Sequence, residues 1–220
     1  MYRLPDHDQR TAIVGSTGSG KTYLAIWILS TRDFISRPWT IIDYKRDNLL
    51  AELPLQEIDV RGNPPTKPGL YVIRPIRGID DDAVKRYLWA VWENEDHGIY
   101  TDEGYMLGQR NDALSALLTQ GRSKNIEMIT LIQRPVWCDK FIFSEASQFY
   151  IMKLTIEDDR KYISGYLDGT PINRIAKHYS FWYDTAEQEG VHLKPVPPMP
   201  VILQSIHARL NARRRKVSAI

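Results

Sequence analysis

Cysteine is almost missing from the 220 residues: Cys138 stands alone. No internal disulfide can form, which excludes a disulfide-stapled fold, and no Cys/His cluster has the spacing of a zinc site. Long apolar runs are missing too. None approaches the ~20 residues that cross a bilayer, and the opening MYRLPDHDQR is too polar for a secretory signal, so a cytoplasmic protein with no membrane partner is expected. Acidic residues are missing from 191 to 220, where Lys194, Arg209, Arg213, Arg214, Arg215 and Lys216 lie. With a net charge of +2 overall, the first 190 residues carry −4. A basic segment on a mildly acidic body points to an anionic partner, nucleic acid or an acidic protein surface, unless it is simply a solvated terminus.

What is present is the balance of a globular domain, 43% hydrophobic and 25% charged residues, at a length suited to one core. Short β-like apolar runs alternate with segments of helical period, the pattern of an α/β fold with a mainly parallel sheet flanked by helices. The runs 11–14, 40–43, 71–74, 98–101, 128–132 and 149–154 read as strands, with 180–184 as a closing edge strand. Helices are expected at 21–30, from Asp80 onward with Val84, Leu88, Val91 and Trp92 as its apolar stripe, at 112–122, at 157–167 and at 171–178. Residues 1–190 are expected to form the catalytic domain. The segment 191–220 reads as a stiff proline-rich tether, KPVPPMP, followed by a short basic tail. Ile202, Ile206 and Leu210 lie at helical spacing there, so a short amphipathic helix docking on an adjacent subunit is one expectation for it.

The most specific motif is Gly15-Ser16-Thr17-Gly18-Ser19-Gly20-Lys21-Thr22, which satisfies G-x-x-x-x-G-K-[ST] between an apolar run and a helical segment. Glycines let the backbone curl around phosphate, and the following helix offers the positive end of its dipole. Lys21 should reach the β- and γ-phosphates of ATP and Thr22 should ligate Mg²⁺. Gly98-Ile-Tyr-Thr-Asp102-Glu103 supplies a strand-end carboxylate for the same ion in Asp102, and in Glu103 a group placed to polarise the attacking water. A strand-end acidic pair can also cap a following helix; the upstream phosphate loop favours catalysis.

Three further segments resemble the FtsK/HerA superfamily of DNA-pumping P-loop ATPases. Ile41-Ile-Asp43-Tyr-Lys45 is similar to the family's second core strand, although Tyr44 stands where proline is common. Leu118-Thr-Gln-Gly-Arg122-Ser-Lys-Asn-Ile126 resembles its arginine-bearing helix end, and Thr130-Leu-Ile-Gln133-Arg134-Pro135 its Thr-Gln-Arg-Pro strand terminus. The resemblance covers about residues 10–185 and implies a RecA-like ASCE core, a homo-oligomeric ring of hexameric or pentameric type, and double-stranded DNA threaded through it. It further implies that Gln133 senses the γ-phosphate and that Arg122 is an arginine finger acting on a neighbour's nucleotide, unless it serves only as a helix-terminal cation. Among its branches the chain looks most like the small genome-packaging ATPases of double-stranded DNA viruses. That implies a motor filling a preformed capsid, with a portal or capsid protein as partner at a packaging vertex. Arg74 and Arg77, with Arg213, Arg214 and Arg215, are candidate DNA contacts. A Zot-like phage morphogenesis or secretion ATPase and a non-motor nucleotide-binding protein are the alternatives.

Overall fold

A computed structural model describes residues 2–170, 172 and 175–217, the last five by their backbone alone. Nine strands form one sheet: β1 Arg10–Val14, β2 Pro38–Ile42, β3 Gln56–Glu57, β4 Gly69–Ile73, β5 Gly98–Thr101, β6 Glu127–Ile132, β7 Gln148–Ile151, β8 Ser180–Asp184 and β9 Glu189–Leu193. Their order is β3-β4-β2-β5-β6-β1-β7-β8-β9. The first seven in that order pair parallel, and β8 and β9 add antiparallel. Every residue of β1, β2, β4, β5, β6 and β7 is buried, as expected for parallel strands covered on both faces.

Strand alternation divides the apolar side chains between two cores. Ala12 and Val14 face a cluster with Val84, Leu88 and Val91 of α3 Asp81–Asn94 and Leu114, Leu117 and Leu118 of α4 Asp112–Gln120. α5 Phe141–Ser144 and α6 Glu157–Ser164 contribute to that layer. Ile13 faces the opposite cluster, with Leu24 and Ile28 of α1 Lys21–Thr31 and Leu50 of α2 Asn48–Ala51. Asp81 and Asp82 occupy the first turn of α3, where the helix dipole favours carboxylates, as the run of acids there suggests.

The C-terminal segment is helical, one of the two sequence readings, but it packs on its own chain. Residues 194–198 carry no regular secondary structure, whereas Met199–Val217 forms α7, and Met199, Ile202 and Ile206 are buried in the same cluster as α1. Arg209 donates to the Ser30 carbonyl and lies 4.7 Å above the Phe34 ring. The apolar stripe at 202, 206 and 210 is therefore satisfied within its own chain, and no adjacent subunit is needed to cover it. Strand β9, with mixed polarity and an exposed start, displaces β8 from the edge of the sheet. The expected helix at 171–178 lies partly outside the described residues, and its described end, Lys177 and His178, is a turn.

Candidate nucleotide site

In an open parallel sheet, ligands gather outside the carboxyl ends of the strands. The C-terminal ends of β1, β2, β5 and β6 carry the phosphate loop, Asp43, Asp102 with Glu103, and Gln133 respectively. The loop 15–20 runs from β1 straight into α1. Its backbone is anchored by Ser16 N–H donating to the Lys153 carbonyl at 2.8 Å and by Ser19 N–H donating to the Ser16 carbonyl at 3.2 Å. The Ser16 hydroxyl meets that of Thr155 at 3.1 Å. Gly20 has φ of 106°, and a Cβ there would lie 2.8 Å from His178 Nδ1, so both conformation and space require glycine. α1 has no side-chain cap and no acid in its first turn. Its first N–H groups therefore retain their positive potential for an anion.

Around this loop lies a cavity of about 420 Å³, whose wall includes Thr17, Gly18, Gly20, Lys21, Thr22, Lys45, Asp47, Asp102, Glu103 and Gln133. The Lys21 ammonium donates to the Ser16 carbonyl at 3.1 Å, which curls it over the loop. Burial, helped by the nearby Lys45 charge, lowers its pKa to about 8. Asp102 moves oppositely: burial, then the Asp47 carboxylate, raises it to about 6 despite Lys45 and Lys21. Glu103, 1% exposed, binds the Lys45 ammonium and accepts from Gln133 Nε2 on the same oxygen, while its Oε2 is buried without a partner. Gln133 Oε1 in turn accepts from the Thr17 hydroxyl at 2.9 Å, joining β6 to the phosphate loop.

The donor set fits a hard divalent cation. The Thr22 hydroxyl donates to Asp47 Oδ2 at 3.5 Å, and Asp47 and Asp43 both raise the proton affinity of Asp102. Crowded carboxylates beside a hydroxyl are the oxygen ligands that Mg²⁺ takes together with phosphates. Among the described residues His7, Asp33 and Glu127 also approach one another. Arg32 and Arg37 already hold both oxygens of that buried glutamate, so the group is an ion-pair network.

The structure thus brings Lys21, Thr22, Asp102, Glu103 and Gln133 to one cavity. It adds two residues whose part here sequence reasoning missed. Asp47 caps α2 by accepting from Leu49 N–H while reaching Thr22, and Lys45 neutralises Glu103. The four-residue step from Asp43 to Asp47 after a strand was the available signal, because Asp47 N–H folds back onto Asp43 Oδ1 at 3.1 Å.

Arg122 lies elsewhere. It sits in a short 3₁₀ turn, Gly121–Lys124, before β6, 77% exposed and paired with Asp8 at 2.9 Å. That is the opposite end of the sheet, about 20 Å of strand away from its own phosphate loop. Arg74 pairs with Asp43 and Glu57, so its charge is already engaged inside the fold. Arg77 is exposed and lies 5.3 Å above the Tyr105 ring, which meets Trp137, itself stacked under Arg134. The side chains of Arg213, Arg214 and Arg215 lie outside the described residues.

A glycine-rich loop between a parallel strand and a helix, with a strand-end Asp-Glu pair and a polar sensor on the neighbouring strand, defines a P-loop ATPase. No model of a known protein family matches the chain. It is 39% identical over 212 residues to the DNA packaging ATPase P9 of Enterobacteria phage PRD1, covering 91% of this chain and 93% of that protein. The chain belongs to this family of DNA packaging ATPases, and so hydrolyses ATP and acts on DNA. Its fold is that of B204, the DNA-packaging ATPase of Sulfolobus turreted icosahedral virus, at a TM-score of 0.68 and 18% identity over 89% of this chain and all of that one. It is also that of ATPases 2 and 3 of EssC from Geobacillus thermodenitrificans, at a TM-score of 0.70 and 10% identity over 97% of this chain and 45% of that chain. No described helix is long and apolar enough to cross a membrane.

Proposed function

We propose that this ATPase drives double-stranded DNA into a preformed capsid, as a ring of identical subunits, hexameric or pentameric, working at a packaging vertex in the host cytoplasm. The observation that carries the chemistry is the convergence of Lys21, Thr22, Asp102, Glu103 and Gln133 on one cavity at the mouth of an uncapped helix. Lys21 and the loop N–H groups hold the phosphates, and Thr22 and Asp102, with Asp47 beside them, hold Mg²⁺. The ion, when bound, neutralises charge that builds on the phosphoryl oxygens during transfer. Glu103 takes the proton of the attacking water. Gln133, fixed between Glu103 and Thr17, positions that water against the γ-phosphate.

Arg122 acts on the nucleotide of a neighbouring subunit, a reading supported by its place at the far end of β6 from its own loop. Its large exposure leaves it free to do so, and Asp8 is an exchangeable surface partner. DNA contact falls to exposed Arg77 and to the basic end of α7, the portal or capsid protein being the other candidate partner of that end. Arg74 is left out of that contact because Asp43 and Glu57 hold it.

The test is ATP turnover with and without long duplex DNA, with Glu103→Gln as the control. Duplex DNA should stimulate the wild type several-fold, whereas Glu103→Gln should bind ATP normally and turn over at least ~100-fold more slowly. Turnover indifferent to DNA, or retained in Glu103→Gln, would overturn the respective assignment.

A further inference from the structure

A second cavity, of about 290 Å³, adjoins the phosphate cavity and shares Gly20, Tyr23 and His178 with it. Its size sits at the lower end of the ~300–1,000 Å³ usual for small-molecule sites. Its remaining wall comes from Leu24, Met152, Ser180 and the segment 194–198 that links β9 to α7. We infer that this cavity receives the nucleobase of the bound triphosphate, and that the strap 194–198 is therefore part of the nucleotide site.

Three observations lead there, given that the phosphate loop binds a nucleoside triphosphate as proposed above. Polarity comes first. Glu103 and Gln133 line the phosphate cavity only, so the γ-phosphate end faces them; the start of α1, Gly20 and Tyr23, lines both cavities and marks where the rest of the nucleotide must pass. The second is chemical. Pro195, Val196, Pro197, Pro198, Leu24 and Met152 offer apolar surface, and the prolines have no N–H to donate. Such a wall suits a flat, weakly polar ring held by stacking and dispersion, and Ser180 and Lys194, which line the same cavity, add polar groups that can meet its ring nitrogens. The third is mechanical. His178 N–H donates to the Ser19 carbonyl at 3.1 Å, so the turn carrying His178 is hydrogen-bonded to the phosphate loop and sits over Gly20.

The strap's prolines are stiff, and it is pinned at its far end by α7, whose Met199 and Ile202 are buried beside α1. Its position is thus set by the fold. Tyr23, 36% exposed and one residue beyond Thr22, and the His178 imidazole are the aromatic groups that line the cavity.

The experiment compares affinities for Mg·ATP and for inorganic tripolyphosphate by calorimetry on the full chain, using the wild type, Tyr23→Ala, Tyr23→Phe and Val196→Asp. Tripolyphosphate lacks the base and reports the phosphate loop alone. Tyr23→Ala and Val196→Asp should each weaken ATP about tenfold, on the scale of base–aromatic stacking, and leave tripolyphosphate unchanged. Tyr23→Phe should keep both. Unchanged ATP binding in Tyr23→Ala and Val196→Asp would overturn the inference, and so would equal losses for the two ligands, since the effect would then owe nothing to the base. A wild type that fails to bind tripolyphosphate would instead remove the phosphate-loop assignment on which the inference rests.

Discussion

Asp102 and Lys21 face each other across the cavity with proton affinities moved in opposite directions, and the signs fix a pH window. The folded carboxyl of Asp102 titrates at about 6, above the ~3.9 of an unfolded chain, so ionising it costs stability, a penalty absent below pH ~4 and complete above 6. Lys21 titrates at about 8, below the usual ~10.4, so its charge costs stability below 8 and the penalty vanishes as pH rises beyond ~10. Both penalties fall on the charged forms proposed to hold Mg·ATP. Affinity for Mg·ATP should therefore be greatest between about pH 6 and 8, declining toward tenfold per unit on either side, and Asp102→Asn should abolish the acid limb. Binding titrations at pH 5, 7 and 9 check this; a flat profile would contradict it. The loop motif and the Asp102-Glu103 pair were legible in the sequence because each is a contiguous pattern with one chemical use. Asp47 and Lys45 were not, because their roles arise from residues 25 and 58 positions away, Thr22 and Glu103.

At the scale of elements, buried parallel strands announced themselves as continuous apolar runs, so β1, β2, β4, β5, β6 and β7 were legible from the sequence to within a few residues. Strand β3, two exposed residues long, and β9, with mixed polarity, carry no such signal; they exist because the sheet offers an edge to pair with. Helix α7 shows a different limit. Its apolar spacing was visible, but spacing cannot say whether the stripe meets its own chain or another. The cover proves to be α1, the helix that follows the phosphate loop. Ile206 is fully buried there, and Ile206→Ala should cost about 2–5 kcal/mol in urea unfolding. Since α7 also anchors the strap 194–198, the same substitution should weaken ATP binding. A loss below ~0.5 kcal/mol would show that α7 is peripheral to the folded core.

At the scale of the whole molecule, the sheet separates the two halves of the proposed catalytic machinery. Lys21, Asp102, Glu103 and Gln133 gather at the carboxyl ends of the strands, whereas Arg122 lies at the amino ends. On the proposed reading, a neighbour's Arg122, released from its exposed pair with Asp8, completes the site of each subunit, which is the arrangement a ring requires. Mixing Arg122→Ala with Lys21→Ala subunits should therefore restore turnover that each lacks alone, because some interfaces then pair an intact loop with an intact finger. No recovery in demonstrably mixed assemblies would remove Arg122 from that role. The claim that hydrolysis is spent on moving DNA is tested most directly by displacement of a third strand annealed to a long linear duplex. With ATP the wild type should strip the third strand at a rate that falls in proportion to the duplex length it must first traverse, while Glu103→Gln should leave it in place. ATP hydrolysis that proceeds on the duplex without displacing the strand would contradict the account.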